Sequence, residues 1–144
     1  MNATLVKFGY PATLVRDYAH WSVLLRPAQA TLGALILGAK SQVTAFSSLP
    51  PEAFAELALV TKDIEAGLSA LRTYQRINYL MLMMVDPHVH FHVLPRYAEP
   101  QDFQGVSFVD PGWPGVPDLK FATAVPEDTR ARMLQALQQA WPKA

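Results

Sequence analysis

The chain has 144 residues, of which 51% are hydrophobic and 17% charged, and its 12 basic and 12 acidic side chains give a formal net charge of zero. This length and apolar content predict a single domain over residues 1–144 and exclude a disordered chain. The balanced charge, with no long basic run, excludes a surface for duplex nucleic acid. The absence of cysteine excludes disulfides, thiolate zinc sites and cysteine nucleophiles, and it favours a cytoplasmic location. We expect no signal peptide and no membrane-spanning helix, because no uncharged apolar stretch of about 18 residues occurs.

Three extended segments are predicted before residue 40. Residues 4–10 are predicted to form a short strand or an extended arm that ends at Pro11. Residues 18–26 are rich in aromatic and aliphatic side chains and stop at Pro27, which predicts a strand. Residues 33–38 are a short apolar run between two glycines, and we interpret them as a buried strand.

A long helix is predicted next. Pro50-Pro51-Glu52 places a proline and an acid where the first turn of a helix accepts them. Side chains that would share one face then recur at spacings of three and four: Phe54, Leu57, Thr61, Ile64, Leu68 and Leu71. This pattern predicts an amphipathic helix of roughly 20 residues.

The second half of the chain is predicted to hold a hairpin, a loop and a helix. Residues 78–85 are a continuous apolar run, typical of a buried strand, and Asp86-Pro87 marks a turn. We therefore expect a tight antiparallel hairpin with the segment that follows. Residues 98–118 are rich in proline, glycine and aromatic side chains, which predicts an ordered loop. Residues 126–141 carry apolar side chains on one helical face, which predicts a C-terminal helix.

Three of the four histidines alternate with apolar residues at positions 88, 90 and 92. Successive side chains of a strand point to opposite faces, so a strand here lines one face with His88, His90 and His92. Three uses of these histidines are open. The first is a metal site, in which two of the rings bind one ion, although the third is about 13 Å from the first. The second is attack on phosphorus, for which the rings would supply a nucleophile and proton donors. The third is no chemical use, with the histidines only making an exposed strand face polar.

The run His88-Val89-His90-Phe91-His92-Val93-Leu94 resembles the motif of the histidine triad family, in which three histidines alternate with apolar residues. Residues 33–40 are also similar to a glycine–strand–proline–lysine segment of that family, with Ala39 in place of the proline. The resemblance covers roughly residues 15–97 and leaves 98–144 as the loop and the last helix. It implies an α+β fold with an antiparallel sheet of about five strands, a long helix packed on it, and a homodimer.

The same resemblance implies a function and roles for the histidines. The family binds nucleotides and cleaves at the α-phosphate. His90 would be the nucleophile that becomes nucleotidylated, and His92 would contact the phosphate. His88 would orient the central ring, help position the phosphate and assist the leaving group. The resemblance implies a nucleotide substrate, no cofactor and no metal ion.

The chain also departs from the family pattern. Neither position where members carry a further histidine is filled, and Gln42 stands near one of them. The glycine-rich loop before the triad strand is interpreted as shortened to residues 85–87. Arg26 occupies the region of a ribose-binding residue, so Arg26, Gln42 and Arg96 are the candidate phosphate-binding side chains beside His92. Two interpretations follow: an active hydrolase or nucleotidyl transferase, or a weakly active nucleotide-binding or regulatory module.

Two further aromatic side chains have open interpretations. His20 precedes an apolar strand, where a packed or surface ring is favoured over a role in the site. Trp113 lies among prolines and glycines and is interpreted as a packing residue, with stacking on a base as the alternative.

Overall fold

The computed structural model describes residues 1–143 and has an α+β fold. Its main sheet has five strands in the order β1-β2-β3-β5-β4, and all neighbouring pairs are antiparallel. The strands are β1 (Leu14–Asp17), β2 (Trp21–Leu25), β3 (Leu35–Ala39), β4 (Arg76–Leu80) and β5 (His90–Arg96). The predicted fold class is therefore confirmed.

Three α-helices, a short 3-10 helix (Phe46–Ser48) and a small hairpin complete the fold. The α-helices are α1 (Ala3–Lys7), α2 (Pro51–Leu71) and α3 (Glu127–Ala140), and the hairpin joins β6 (Gln101–Phe103) to β7 (Val106–Phe108). The long predicted helix is confirmed as α2, which has a proline in its first turn, and the C-terminal helix is confirmed as α3. Within residues 1–143 no helix is long and apolar enough to cross a bilayer.

One face of the sheet, here called the core face, packs against α2 and α3. Because side chains alternate along a strand, Trp21, Val23 and Leu25 share this face, and the strand pairing sets them beside alternate residues of β3. They are buried in one cluster with apolar side chains from both helices. The helices approach closely at Gly67, where an added Cβ would lie 2.4 Å from a ring carbon of Trp141.

The opposite face, here called the site face, is covered by the N-terminal segment and by loops. Leu24 and Ile36 point to this side and pack with Leu5 of α1. A Cβ added to Gly38 would lie 2.4 Å from Leu5, so the glycine lets α1 rest on the sheet. His90 pairs with Gly38 in the β3–β5 ladder, which places the triad next to α1.

The prediction of a strand or arm over residues 4–10 is wrong, because the segment begins with the helix α1. The side chain of Asn2 accepts a hydrogen bond from the Leu5 amide at 2.9 Å and caps the first turn. A helix of five residues is too short to show periodicity, so its cap was the only available signal. The sequence pattern also missed β1, and the predicted strand over 18–26 is confined to β2.

The tight hairpin and the shortened loop before the triad are corrected by the structure. β4 does pair with β5 in antiparallel register, but it ends at Leu80, so residues 81–89 form a loop between the two strands. Met83 has a positive φ of 50°, and Met84 and Val85 are exposed. The strand β4 itself is only half-buried, because it lies at the edge of the sheet.

Candidate active site

His90 begins β5 and is 2% exposed. Its Nδ1 lies 2.7 Å from the backbone carbonyl oxygen of His88. A carbonyl oxygen only accepts hydrogen bonds, so Nδ1 carries the hydrogen and donates it. In the neutral ring the lone pair is then on Nε2, so Nε2 is the nitrogen of this ring that is chemically able to act as a nucleophile.

His92 lies on the same face of β5, with its ring centroid 5.2 Å from that of His90. Burial lowers the pKa of His92 to about 4, and the positive charges of Arg26 and His90 act in the same direction. The ring is therefore neutral at pH 7. Its Nδ1 is buried and has no hydrogen-bond partner within the described residues. The cost of removing this nitrogen from water is therefore not offset by a hydrogen bond.

His88 lies just before β5, in the segment that leads into the strand. The Nδ1 atom of His88 lies 2.9 Å from the Thr4 hydroxyl oxygen of α1. Phe8, which directly follows α1, places its ring 5.8 Å from His90 and 6.0 Å from His92, centroid to centroid. One short segment therefore contacts all three histidine rings on the site face.

The loop before β5 covers the triad from another side. A cavity of about 140 Å³ remains between this loop and the two buried histidines, lined by Leu82, Met83, Met84, Val85, Asp86, His90 and His92. Asp86 bonds to Lys7 Nζ at 2.8 and 3.0 Å, which joins the loop to α1. Pockets for small-molecule ligands usually measure about 300–1,000 Å³. The cavity beside the two histidines is therefore smaller than the usual small-molecule pocket.

Arg26 follows β2 and is brought to the His92 side of the sheet. The guanidinium of Arg26 is largely buried, and its positive charge is one cause of the low pKa of His92. It donates hydrogen bonds to the carbonyl oxygens of Ala28 at 2.8 Å and Leu119 at 3.4 Å. Its buried Nε has no partner within residues 1–143. Burial also lowers the pKa of Arg26 from its ordinary value.

Comparison with protein families identifies the family of this chain. The HIT domain model matches residues 12–99, which is more than half of the chain. The chain belongs to the histidine triad (HIT) family. No curated protein sequence matches it significantly. The resemblance found in the sequence is therefore confirmed at the level of the family.

Three solved structures show how far the HIT fold extends along the chain. A histidine triad protein from Sinorhizobium meliloti 1021 is 21% identical, with a TM-score of 0.74 over 97% of this chain and 95% of that one. One from Marinobacter aquaeolei VT8 is 22% identical, with a TM-score of 0.74 over 98% and 94%. A hypothetical histidine triad nucleotide-binding protein from Sulfolobus tokodaii strain7 is 16% identical, with a TM-score of 0.66 over 89% and 82%. At these identities the comparison shows the fold alone.

One predicted phosphate-binding side chain of this HIT protein, that of Arg96, is not brought to the triad. Arg96 is at the far end of β5, where it forms a bidentate pair with Asp110 at 2.6 and 2.9 Å; the two side chains are 4% and 1% exposed. It also donates to the side chain of Asn78 at 2.8 Å. These bonds make Arg96 a structural residue rather than a free anion ligand. Gln42 is exposed beyond the end of β3.

The remaining candidates of the HIT chain lie outside the triad cavity. His20 is half-buried, and its backbone amide donates to the Glu56 carboxylate at 2.7 Å. Trp113 lines a groove of about 810 Å³ that follows the edge strand β4. In the part of the chain that the structure describes, no group of three His, Cys, Asp or Glu side chains is arranged to hold a metal ion.

The sequence patterns missed two residues that touch the triad, Thr4 and Phe8. Both belong to the N-terminal segment, and Thr4 is 84 positions from the histidine it contacts. No local motif connects residues so far apart in the chain. The cap at Asn2 was a signal for the helix, but nothing in the sequence indicated where that helix would pack.

Proposed function

We propose that this protein is a hydrolase or nucleotidyl transferase of the HIT type, which attacks the α-phosphate of a nucleotide through His90. The hydrogen bond from Nδ1 of His90 to the carbonyl of His88 carries this proposal, because it leaves the lone pair on Nε2. The nucleotide as substrate is supported by the relative from Sulfolobus tokodaii, which is described as a hypothetical histidine triad nucleotide-binding protein.

The proposed reaction has two displacement steps at phosphorus. The Nε2 lone pair of His90 forms a bond to the α-phosphorus, and the leaving group departs with the electron pair of its own bond to phosphorus. His88 in its imidazolium form gives a proton to that leaving group. Water or another acceptor then attacks the phosphorus of the nucleotidyl-His90 intermediate and gives its proton to His88, which is neutral after the first step. The bond between phosphorus and Nε2 breaks, and its electron pair returns to Nε2 of His90.

The neighbouring side chains have defined parts in this scheme. The neutral ring of His92 donates one hydrogen bond to a phosphate oxygen, and the nearby charge of Arg26 attracts the anion. Once bonded to phosphorus, the ring of His90 keeps its Nδ1 hydrogen on the carbonyl of His88. That bond stabilises the positive charge that the ring acquires.

A nucleotide panel with product detection tests the proposal. The panel includes nucleoside phosphoanhydrides, phosphoesters and phosphoramidates, because the leaving group is not defined by the triad. The variant His90→Ala should keep its fold and lose turnover by roughly 10⁴-fold or more, as removal of a nucleophile typically does. His20→Ala is the matched control and should retain activity. A His90→Ala enzyme that turns over as fast as the wild type would falsify the role of His90.

A weakly active nucleotide-binding or regulatory module is the second candidate function. The small cavity above the triad favours it, because about 140 Å³ is less than the volume of the usual small-molecule pocket. This candidate predicts heat of binding for a mononucleotide in calorimetry, without product after prolonged incubation. Absence of binding across the whole panel would eliminate it.

We further propose that two copies form a homodimer through the edge of the sheet. The edge strand β4 is paired only with β5, and the adjacent groove of about 810 Å³ leaves room along it. Sedimentation at micromolar concentration should give twice the chain mass of 15.9 kDa. A mass of one chain under those conditions contradicts the dimer. A cytoplasmic location stays a prediction from the sequence.

A further inference from the structure

The N-terminal segment of residues 2–8, here called the N-terminal cap, lies outside the part of the chain that matches the HIT domain model. That match begins at residue 12. The cap nevertheless contacts each histidine of the triad, through Thr4 at His88 and Phe8 at His90 and His92. A segment that the family pattern does not include is therefore part of the wall of the site.

The cap is fixed to the sheet at several points, so its contacts with the triad are made from a rigid support. The side-chain amide of Asn2 donates to the carbonyl oxygens of Ala39 and Ser41, both at 2.8 Å. Leu5 is buried over Gly38. Because Asn2 and Leu5 flank Thr4, the hydroxyl of Thr4 is held in place by neighbours on both sides.

The hydroxyl of Thr4 is a donor with a single acceptor in reach. Thr4 is 3% exposed, and its side chain makes one hydrogen bond within residues 1–143, to Nδ1 of His88. A buried hydroxyl hydrogen needs an acceptor. When His88 is neutral, the hydroxyl therefore donates to Nδ1, and the ring hydrogen is on Nε2. When His88 is an imidazolium, Nδ1–H donates to the same oxygen.

We propose that Thr4 is a positioning residue, which holds the His88 ring so that Nε2–H points to the leaving group. The Thr4 oxygen contacts the ring in both protonation states from one position, because the hydroxyl donates to the neutral ring and, once its hydrogen has rotated away, accepts from the charged one. The contribution to turnover rests on the proposed function, since it acts on the proton that His88 gives to the leaving group. The contact itself, and the location of the ring hydrogen, do not depend on turnover.

Side-chain ¹⁵N spectra of the full-length protein test the contact directly. In the wild type, neutral His88 should show its hydrogen on Nε2. Thr4→Val keeps the shape and removes the hydroxyl, so the ring should redistribute between its two tautomers, and Thr4→Ser should restore the wild-type spectrum. Thr31→Val is the matched control, because Thr31 is 2% exposed and its hydroxyl has no partner in the described chain. That control should leave His88 unchanged.

Kinetics separate positioning from a merely structural effect. Thr4→Val should lower kcat about three- to tenfold with little change in KM, as expected for one neutral hydrogen bond. The loss should be largest for nucleotide substrates whose leaving group needs a proton, such as phosphoramidates, and should vanish for an acidic phenol that leaves as an anion. Thr4→Ser should recover most of the rate.

The outcomes distinguish this inference from the proposed function. A wild-type His88 spectrum in Thr4→Val overturns the inference, whether or not the protein turns over any nucleotide. A changed spectrum with an unchanged kcat overturns the positioning role alone. If no substrate of the panel reacts, the proposed function fails, and the spectra of Thr4→Val and Thr4→Ser still decide whether Thr4 sets the tautomer of His88.

Discussion

The two faces of the sheet differ in what they bury. The core face is covered by two helices and buries apolar side chains such as Val23, Leu37 and Val93. The site face buries two imidazoles and the guanidinium groups of Arg26 and Arg96 in addition to its apolar residues. It is covered by a helix of five residues and by loops.

This difference separates the source of stability from the source of chemistry. Apolar burial stabilises the core face. On the site face, Nδ1 of His92 and Nε of Arg26 are buried without a partner in the described residues. Unpaired buried donors and acceptors are unfavourable. They indicate a face whose polar groups are to be satisfied by a ligand or by water.

The largest effect on stability is expected at the far end of the site face, where Arg96 is bound to Asp110. Asp110→Ala leaves a buried guanidinium without its partner, so the free energy of unfolding should fall by about 3–5 kcal/mol. Denaturant titration measures it, and Glu99→Ala, at an exposed acid, is the control. If Asp110→Ala kept its stability and lost turnover, Arg96 would belong to the catalytic machinery and the structural interpretation would be wrong.

A core-face substitution should affect folding without affecting chemistry. Leu37 is fully buried in β3, and Leu37→Ala should reduce the free energy of unfolding by about 2–5 kcal/mol. Leu59→Ala, at an exposed position of α2, is the matched control and should be close to neutral. Both variants should form product at the wild-type rate per folded molecule. A selective loss of rate in Leu37→Ala would contradict the separation of the two faces.

The pH dependence of stability should report the burial of His92. Its pKa is about 4 in the folded protein and 6.5 without perturbation, so the unfolded chain binds more protons between these values. The contribution is therefore fully present above pH 6.5 and is lost as the pH falls to about 4. A pKa difference of one corresponds to about 1.4 kcal/mol, so the stability lost over this pH range is about 3 kcal/mol.

Two substitutions isolate that contribution. His92→Gln removes the titrating ring, so its stability should decline less than that of the wild type between pH 7 and pH 4. His20→Gln, at a half-buried histidine outside the site, should follow the wild type. Parallel curves for His92→Gln and the wild type would show that His92 is not held neutral by the fold.

The smallest effect is expected at the contact between Lys7 and Asp86. The lysine side chain is 53% exposed, so the ion pair should contribute at most about 1 kcal/mol to stability. Lys7→Ala should nevertheless loosen the loop of residues 81–89 over the triad, because this pair joins the loop to α1. Hydrogen exchange of the loop amides measures it, with Lys62→Ala on α2 as control. Unchanged exchange would mean that the loop is held by its other contacts.

Much of the fold was predictable because its signals are local. The helix α2 has a proline at its start and apolar side chains at helical spacing, and α3 repeats that spacing. The triad is likewise a local pattern, since alternation along a strand by itself sets His90 and His92 on one face. Each of these elements is predicted by residues that lie close together in the sequence.

The surroundings of the triad were not predictable because they depend on contacts between distant residues. The apolar run after β4 has the composition of a buried strand, yet it leaves the sheet and covers the site as a loop. Arg96 was expected to bind phosphate, and its partner Asp110 lies beyond a hairpin that was predicted only as a loop. Thr4 and Phe8 reach the triad only through the packing of α1 on Gly38.

We have proposed that Nε2 of His90 is the nucleophile of the site. Rapid quenching of the wild-type protein with a nucleotide substrate, followed by intact-mass and peptide mass spectrometry, tests it most directly. We predict one nucleotidyl group per chain, on the peptide that contains His90, and none in His90→Ala. A turnover-competent protein whose adduct lies on another residue, or which reacts without any adduct under conditions that trap the intermediate, contradicts the account.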